Sequence, residues 1–433
     1  PAKSRPLFLT FPFHDPSPTS RSGSRYTRKR ATLAQSAASC RSLASNALNA
    51  PPSMRDKPRW NRYRGSSWVR SDLLNAPPEL PAFLSAAHQF CRSRYSNAGI
   101  DSLSGNRSDT EPTKDNNPPS GNAPLSTLLL HHSSYLDHLT PVGHPERPDR
   151  IRAIDRILEH EKFQSVERDL APMGTVEDIA RAHPMSYVDQ IHRLAPAEGT
   201  ARVDADTTMS PGTWEAALRG VGGACRAVDE VLTKKVNNAF SASRPPGHHA
   251  EKDRAMGFCF FNNAAVAARY AQAKFGLERV AIVDFDVHHG NGTQDIFWDD
   301  PTVMYCSTHQ MPLYPGSGAA SETGEANTIV NAPLAPGEDG TGFKEAFEVL
   351  LLPRLNHFAP ELVIVSAGFD AHMRDPLGGL NLVEADFAWA TRALMDVADA
   401  HSNGHLISVL EGGYDLEGLA RSVAAHVMTL MTG

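Results

Sequence analysis

A regular apolar pattern begins at "STLLLHH" (126–132). From there, short β-rich runs, several of them near-continuous Val, Ile and Leu, alternate with longer stretches whose apolar residues recur every three or four positions. The runs predict strands at 127–131, 239–243, 279–285, 303–308, 361–367 and 405–411. The spaced patterns predict helices at 148–160, 176–182, 213–232, 260–274, 342–358, 384–401 and 416–431. In the first helix Ile151, Ile154, Ile157 and Leu158 share one face, and Thr175 with Asp178 reads as a capping box for the second. Strands apolar on both faces and separated by helices predict an α/β fold, a parallel sheet covered on both sides.

Residues 1–124 lack this texture. They are rich in Ser, Pro, Arg and Asn and end in "EPTKDNNPPSGNAPLS", a linker composition. We expect a disordered basic extension over 1–124 and one folded domain over 125–433. Residues 1–53 contain a single acid, Asp15, the composition of an organelle transit peptide. The alternative is a mis-annotated start with no such segment in the native protein. The location expected is cytoplasmic, or plastid or mitochondrial if 1–53 is a transit peptide.

Charge sharpens the division. Residues 1–124 carry a net charge of +10 and residues 125–433 a net of −17. So acidic a domain does not bind nucleic acid by counterion release, but it attracts cationic substrates. Five Cys with no C-x-x-C pair give neither a disulfide framework nor a thiolate zinc site. No apolar run is long enough to span a bilayer.

Seventeen of the 19 His lie beyond residue 125, and several gather at predicted strand ends. Four segments carry polar residues and Gly just after a strand: "SASRPPGHHAE", "VDFDVHHGNGTQ", "VSAGFDAHMRDPLGG" and "VLEGGYDLEG". Asp286 and His288, two apart on a strand, face the same side, and Asp370 can supply a third ligand. Three N/O ligands without thiolate describe a catalytic Zn²⁺ site; helix capping is the alternative. Of the adjacent His248 and His249, one can serve as a general base and the other, held cationic by Asp284, can stabilise charge. Tyr414 can donate to a developing oxyanion. His289 points away and is expected to be structural, held by neighbouring backbone.

Taken together, "HPERPDR", "RPPGHHA", "MGFCFFNN", "DFDVHHGNGTQ", "YPGSG", "SAGFDAHMRDPLGG" and "LEGGYDL" resemble the histone deacetylase superfamily, its class II and bacterial amidohydrolase-like members above all. The resemblance covers residues 126–432 and implies the arginase/deacetylase α/β fold. It implies a Zn²⁺ held by Asp286, His288 and Asp370, with His249 as general base, His248 as its electrostatic partner on Asp284, and Asn291 bonded to His249. Tyr414 would polarise the carbonyl. Gly257, Phe258 and Tyr314 would shape an acyl-lysine tunnel, with Leu377 at its rim and Arg150 behind the metal. A structural K⁺ would sit among Asp284, Asp286, His288, Ser307 and Thr308, and a second near Phe297, Asp300 and Val303. The related arginases carry a further Asp where this chain has Gly290, so one metal is implied.

The implied activity is hydrolysis of acetyl-lysine amides in proteins or peptides. Deacylation of acetylpolyamines or other small amines is the alternative; polyamine-selective relatives carry Glu at the position of Leu377. A non-catalytic acyl-lysine-binding protein is the rival from another class.

Overall fold

Eight strands form one sheet in which every neighbouring pair is parallel. In chain order they are β1 (Thr127–His131), β2 (Glu167–Leu170), β3 (Asn238–Ser241), β4 (Val280–Asp284), β5 (Val303–Gln310), β6 (Ile329–Leu334), β7 (Leu362–Ala367) and β8 (Leu406–Leu410). Their order across the sheet is β6–β5–β4–β7–β8–β3–β1–β2. This computed structural model describes residues 125–433 and, before them, an antiparallel pairing of Asn61–Arg62 with Trp68–Val69. Apart from that pairing, the disorder expected over 1–124 and the transit-peptide reading of 1–53 lie outside the described residues.

The alternation of side chains along each strand divides the core in two. On β4, Ala281 and Val283 enter one cluster and Val280 and Ile282 the other. The first face is covered by α1 (Asp149–Leu158) through Ile151 and Ile154, and by two C-terminal helices, α9 (Glu384–His401) and α10 (Leu416–Thr432). The second is covered by α3 (Met185–Leu194), α4 (Thr213–Leu232) and α5 (Asn263–Phe275). Each Val or Ile so enclosed contributes about 1.5–3 kcal/mol. The capping box of Thr175 and Asp178 forms at the start of α2 (Val176–Ile179).

The sequence reading missed β2, β6, α3 and the short α6 (Asn291–Ile296). β2 is "ERDL", exposed throughout, and β6 contains Pro333. Both are edge strands, which need neither an apolar run nor a full set of N–H donors. The helix expected over 342–358 is interrupted. A widened turn, Phe347–Leu351, separates α7 (Gly340–Ala346) from α8 (Leu352–Phe358). Pro353 has no N–H to complete a regular turn there.

Candidate active site

The strands β4, β7, β8 and β3 end side by side, and the loop after each carries part of the site. The chain leaves β3 and returns as β4, while β7 and β8 are later inserted between them. Such a switch opens a crevice at the carboxyl edge of a parallel sheet.

β4 stops at Asp284, so Asp286 and His288 do not lie on the strand. Their convergence comes instead from a turn fastened by its own carboxylates, which corrects the reading from strand alternation. Asp286 N–H donates to Asp284 Oδ1 (3.1 Å), His288 N–H to Asp286 Oδ1 (2.9 Å) and Val287 N–H to Asp370 Oδ1 (2.8 Å). Gly412 N–H, from the loop after β8, holds Asp286 Oδ2 at 2.8 Å. Ligand atoms of Asp286, His288 and Asp370 lie within 4.8 Å of one another, all three residues being buried.

Among the described residues, histidines are the only cationic partners of Asp286 and Asp370. Burial, and then the Asp286 carboxylate, push Asp370 up to about 7. Two enclosed carboxylates beside one imidazole, with no Lys or Arg on them, fit a small divalent cation of the zinc type.

The loop after β3 supplies the two adjacent histidines. Glu411 shapes it, accepting from Gly247 N–H at 2.6 Å and His248 N–H at 3.1 Å. The imidazoles stand 4.0 Å apart but have different partners. His248 Nδ1 lies 3.0 Å from Asp284 Oδ2, and His249 Nδ1 lies 2.8 Å from Asn291 Oδ1. Burial disfavours a charge on both. At His248 the carboxylates of Asp286 and Asp284 overcome it and raise the pKa well above the ordinary imidazole value. At His249 burial is reinforced by His248 and His288 and lowers it well below.

Gly257 and Phe258 both have positive φ, 57° and 68°. Their N–H groups donate to Asp206 Oδ1 (3.2 Å) and Thr207 Oγ1 (3.0 Å). A Cβ on Gly257 would collide with the His249 ring. Phe258 meets Tyr414 edge-on at 5.8 Å, and Tyr314, 39% exposed, lies 5.1 Å from the His249 ring. Leu377 is partly buried, and its N–H donates to Asp375 Oδ1. Arg150, fully buried, stands 5.0 Å from the Tyr414 ring centre and donates to the carbonyls of Gly413 and Glu411. Asp284 and Ser307 are register partners across β4 and β5. Ser307 Oγ meets His309 Nδ1 at 2.9 Å, and the buried Thr308 hydroxyl has no partner among the described residues.

His289 does turn away from the cluster, but side chains hold it rather than backbone. Its Nδ1 meets Ser317 Oγ at 2.8 Å and its Nε2 meets Gln294 Oε1 at 3.1 Å.

Several supporting residues escaped the sequence reading. Glu146 binds Arg244 through both carboxylate oxygens at 2.6 Å and also meets Arg150 and His138. Asp375 accepts the N–H groups of Tyr414 and Asp415 at 2.6 and 3.2 Å and fixes the loop that presents the phenol. Charged residues flanked by Pro in "HPERP", "SRPPG" and "RDPLGG" were the available signal. Charge is expensive in such stiff, buried turns unless it is used.

A parallel sheet bearing a buried Asp-His-Asp cluster and two oppositely tuned imidazoles at its carboxyl edge defines an amidohydrolase of the arginase/deacetylase type. The histone deacetylase domain family matches residues 144–430, and the chain belongs to that family. It is 40% identical over 277 residues to a histone deacetylase-like amidohydrolase of Pseudomonas aeruginosa, covering 63% of this chain and 73% of that protein. It is 38% identical over 316 residues to a probable deacetylase of Archaeoglobus fulgidus, covering 71% and 87%. The chloroplastic histone deacetylase 10 of Oryza sativa is 39% identical over 303 residues, covering 65% and 68%. Among solved structures, the HDA15 HD domain superposes with a TM-score of 0.68 at 36% identity, covering 71% of this chain and 88% of that one. The family is one of hydrolases that act on acetylated substrates. Among the described residues no helix is long and apolar enough to cross a membrane.

Proposed function

We propose that this chain hydrolyses N-acetyl-lysine side-chain amides of proteins or peptides, releasing acetate and the free amine, with one Zn²⁺ at Asp286, His288 and Asp370. The observation that carries the reading is the placement of two adjacent imidazoles beside that cluster, His248 on the Asp284 carboxylate and His249 on the Asn291 amide. The bound metal would supply Lewis-acid chemistry towards water and the amide carbonyl.

The protein groups then have separate tasks. His249, kept neutral and with Nδ1 occupied by Asn291, has Nε2 free to take the proton of the attacking water. The same nitrogen later returns a proton to the departing amine. His248, cationic against Asp284, stabilises negative charge growing nearby. The Tyr414 hydroxyl donates to the carbonyl oxygen as it becomes anionic. Burial holds that phenol well above its ordinary pKa, so it stays protonated and can donate. Phe258 and Tyr314 flank the acyl-lysine chain, and Gly257 lets the wall close on His249. A K⁺ among Asp284, Asp286, His288, Ser307 and Thr308 would be structural.

Acyl-lysine is preferred to a polyamine because Leu377 offers a cationic amine no partner. The chloroplastic relative and the composition of residues 1–53 support a plastid location as the alternative to a cytoplasmic one. The test is turnover on an acetyl-lysine peptide, on longer acyl-lysines and on N-acetylputrescine, with added Zn²⁺ and with chelator. We expect a higher kcat/KM on the acetyl-lysine peptide, abolished by the chelator. His249→Ala and Tyr414→Phe should each lower kcat by about 10²-fold or more. Wild-type turnover in both variants would overturn the assignment.

A further inference from the structure

We infer that Glu251 is a positioning residue that fixes the amide of Asn291 and thereby sets the tautomer of His249; this rests on the reading of His249 as the base. An amide is two-faced. Its oxygen accepts and its nitrogen donates, and rotation by half a turn exchanges them at almost no steric cost. Asn291 Oδ1 faces His249 Nδ1 at 2.8 Å. With an oxygen there, Nδ1 must carry the proton, and Nε2 is left with a free lone pair. Reversed, the amide would donate to Nδ1, place the proton on Nε2 and block the base.

What prevents the reversal is the other end of the amide. Asn291 Nδ2 faces three acceptors: Glu251 Oε1 at 2.7 Å, Met256 Sδ at 3.4 Å and the His249 carbonyl at 3.5 Å. The carboxylate contact is the short, charge-assisted one, and an ionised carboxylate has no proton to offer a reversed amide. Glu251 is itself tied back, its N–H donating to the Arg254 carbonyl at 3.0 Å. Asn291 is the first residue of α6, so its backbone is fixed and only the amide plane is free to turn. A surface cavity of about 330 Å³ has Glu251, Met256, Asn291 and Trp298 in its wall. Water entering there could replace a carboxylate trimmed to Ala, so the informative substitution is Leu, which removes the acceptor and excludes water.

The test uses the full, zinc-loaded chain and an acetyl-lysine peptide. Because general base catalysis contributes about 10²–10⁴-fold, partial loss of the correct tautomer in Glu251→Leu should lower kcat by about tenfold, with KM within about twofold. Glu251→Gln, whose amide oxygen still accepts from Asn291 Nδ2, should stay within about threefold of wild type.

The decisive comparison adds Asn291→Asp. An aspartate has two equal oxygens and cannot present a donor, so it needs no orienting partner, and beside Glu251 it suffers charge repulsion. Glu251→Leu should therefore raise kcat when combined with Asn291→Asp, while lowering it in the otherwise wild-type chain. In ¹⁵N-histidine spectra, the His249 resonance, assigned by its loss in His249→Ala, should report the Nδ1–H tautomer in wild type and a mixture in Glu251→Leu. A wild-type kcat in Glu251→Leu, or equal losses with and without Asn291→Asp and an unchanged tautomer, would overturn the inference. If the wild-type protein cleaves no acyl amide, the proposed function fails, and the ¹⁵N spectra still decide the role of Glu251.

Discussion

Arg244→Met should cost about 5 kcal/mol of folding stability although Arg244 touches none of the proposed reacting groups. Arg244 and Glu146 are both fully buried and form a two-point pair, Nε to Oε1 and Nη2 to Oε2, each at 2.6 Å. Nη1 also donates to the carbonyls of Tyr135 and His138 at 2.5 and 2.9 Å. Met keeps much of the apolar stem and removes every donor. Breaking a buried ion pair from one side costs about 3–5 kcal/mol, and each carbonyl left without a partner adds about 1–3. Glu146 retains Arg150 Nη1 at 3.2 Å and His138 Nε2 at 3.3 Å, which keeps the total at the lower end of the summed range.

Acid should reveal the mechanism. In wild type, burial raises the Glu146 pKa, but Arg244 and then His138 overcome it and hold the group well below 4.5. A depressed carboxyl contributes stability above its unfolded pKa and loses it as pH falls through the folded value. Without Arg244 the balance moves towards burial, so the folded pKa rises and protonation begins to relieve the penalty. The measurement is urea denaturation followed by circular dichroism at pH 5 and pH 8. We expect the loss to be smaller at pH 5. A loss below about 1 kcal/mol at pH 8, or one that grows on acidification, would refute the reasoning.

Other predictions concern the site itself. Asp370→Asn would remove one of the two proposed anionic ligands and should lower zinc retained after dialysis from an expected one per chain to well below that, read by plasma emission; an unchanged content would place the metal elsewhere. Gly257→Ala combines a φ of 57° with a Cβ driven into the His249 ring, and should lower kcat on the peptide by about tenfold or more. Leu377→Glu should raise kcat/KM on N-acetylputrescine relative to the acetyl-lysine peptide. No change in that ratio would remove Leu377 from the rim.

The chemistry was legible where it was local. Each of the four polar segments follows a buried, mainly apolar strand, and those strands prove to be neighbours, β4, β7, β8 and β3. What could not be read was pairing at a distance. Glu146 and Arg244 are 98 residues apart, and nothing in "HPERP" names "SRPPG" as its partner. Asp375 looks like a turn residue until its carboxylate is seen to hold the Tyr414 loop, 39 residues on. The edge strands were hidden for local reasons: "ERDL" is exposed throughout, and "IVNAPL", though buried, is broken by Asn331 and Pro333.

The deepest dependence on the fold lies in His248 and His249. Adjacent in sequence, they have the same chemistry and nearly the same burial, 3% and 4% exposed, so nothing local distinguishes them. The sheet does. One ring reaches Asp284, at the carboxyl end of β4, and the other reaches Asn291, where the chain has turned into α6. Burial disfavours both charges; the carboxylates of Asp286 and Asp284 overcome it at one ring, while at the other no full charge does and His248 and His288 reinforce it, so the two pKa values move in opposite directions. A single loop, running from Asp284 to Asn291, thus gives a His-His pair that begins as two equal imidazoles the partners for the proposed cation and the proposed base. Exchanging the partners, by Asp284→Asn together with Asn291→Asp, should weaken that division without removing any proposed zinc ligand, and zinc retention should survive the loss of turnover.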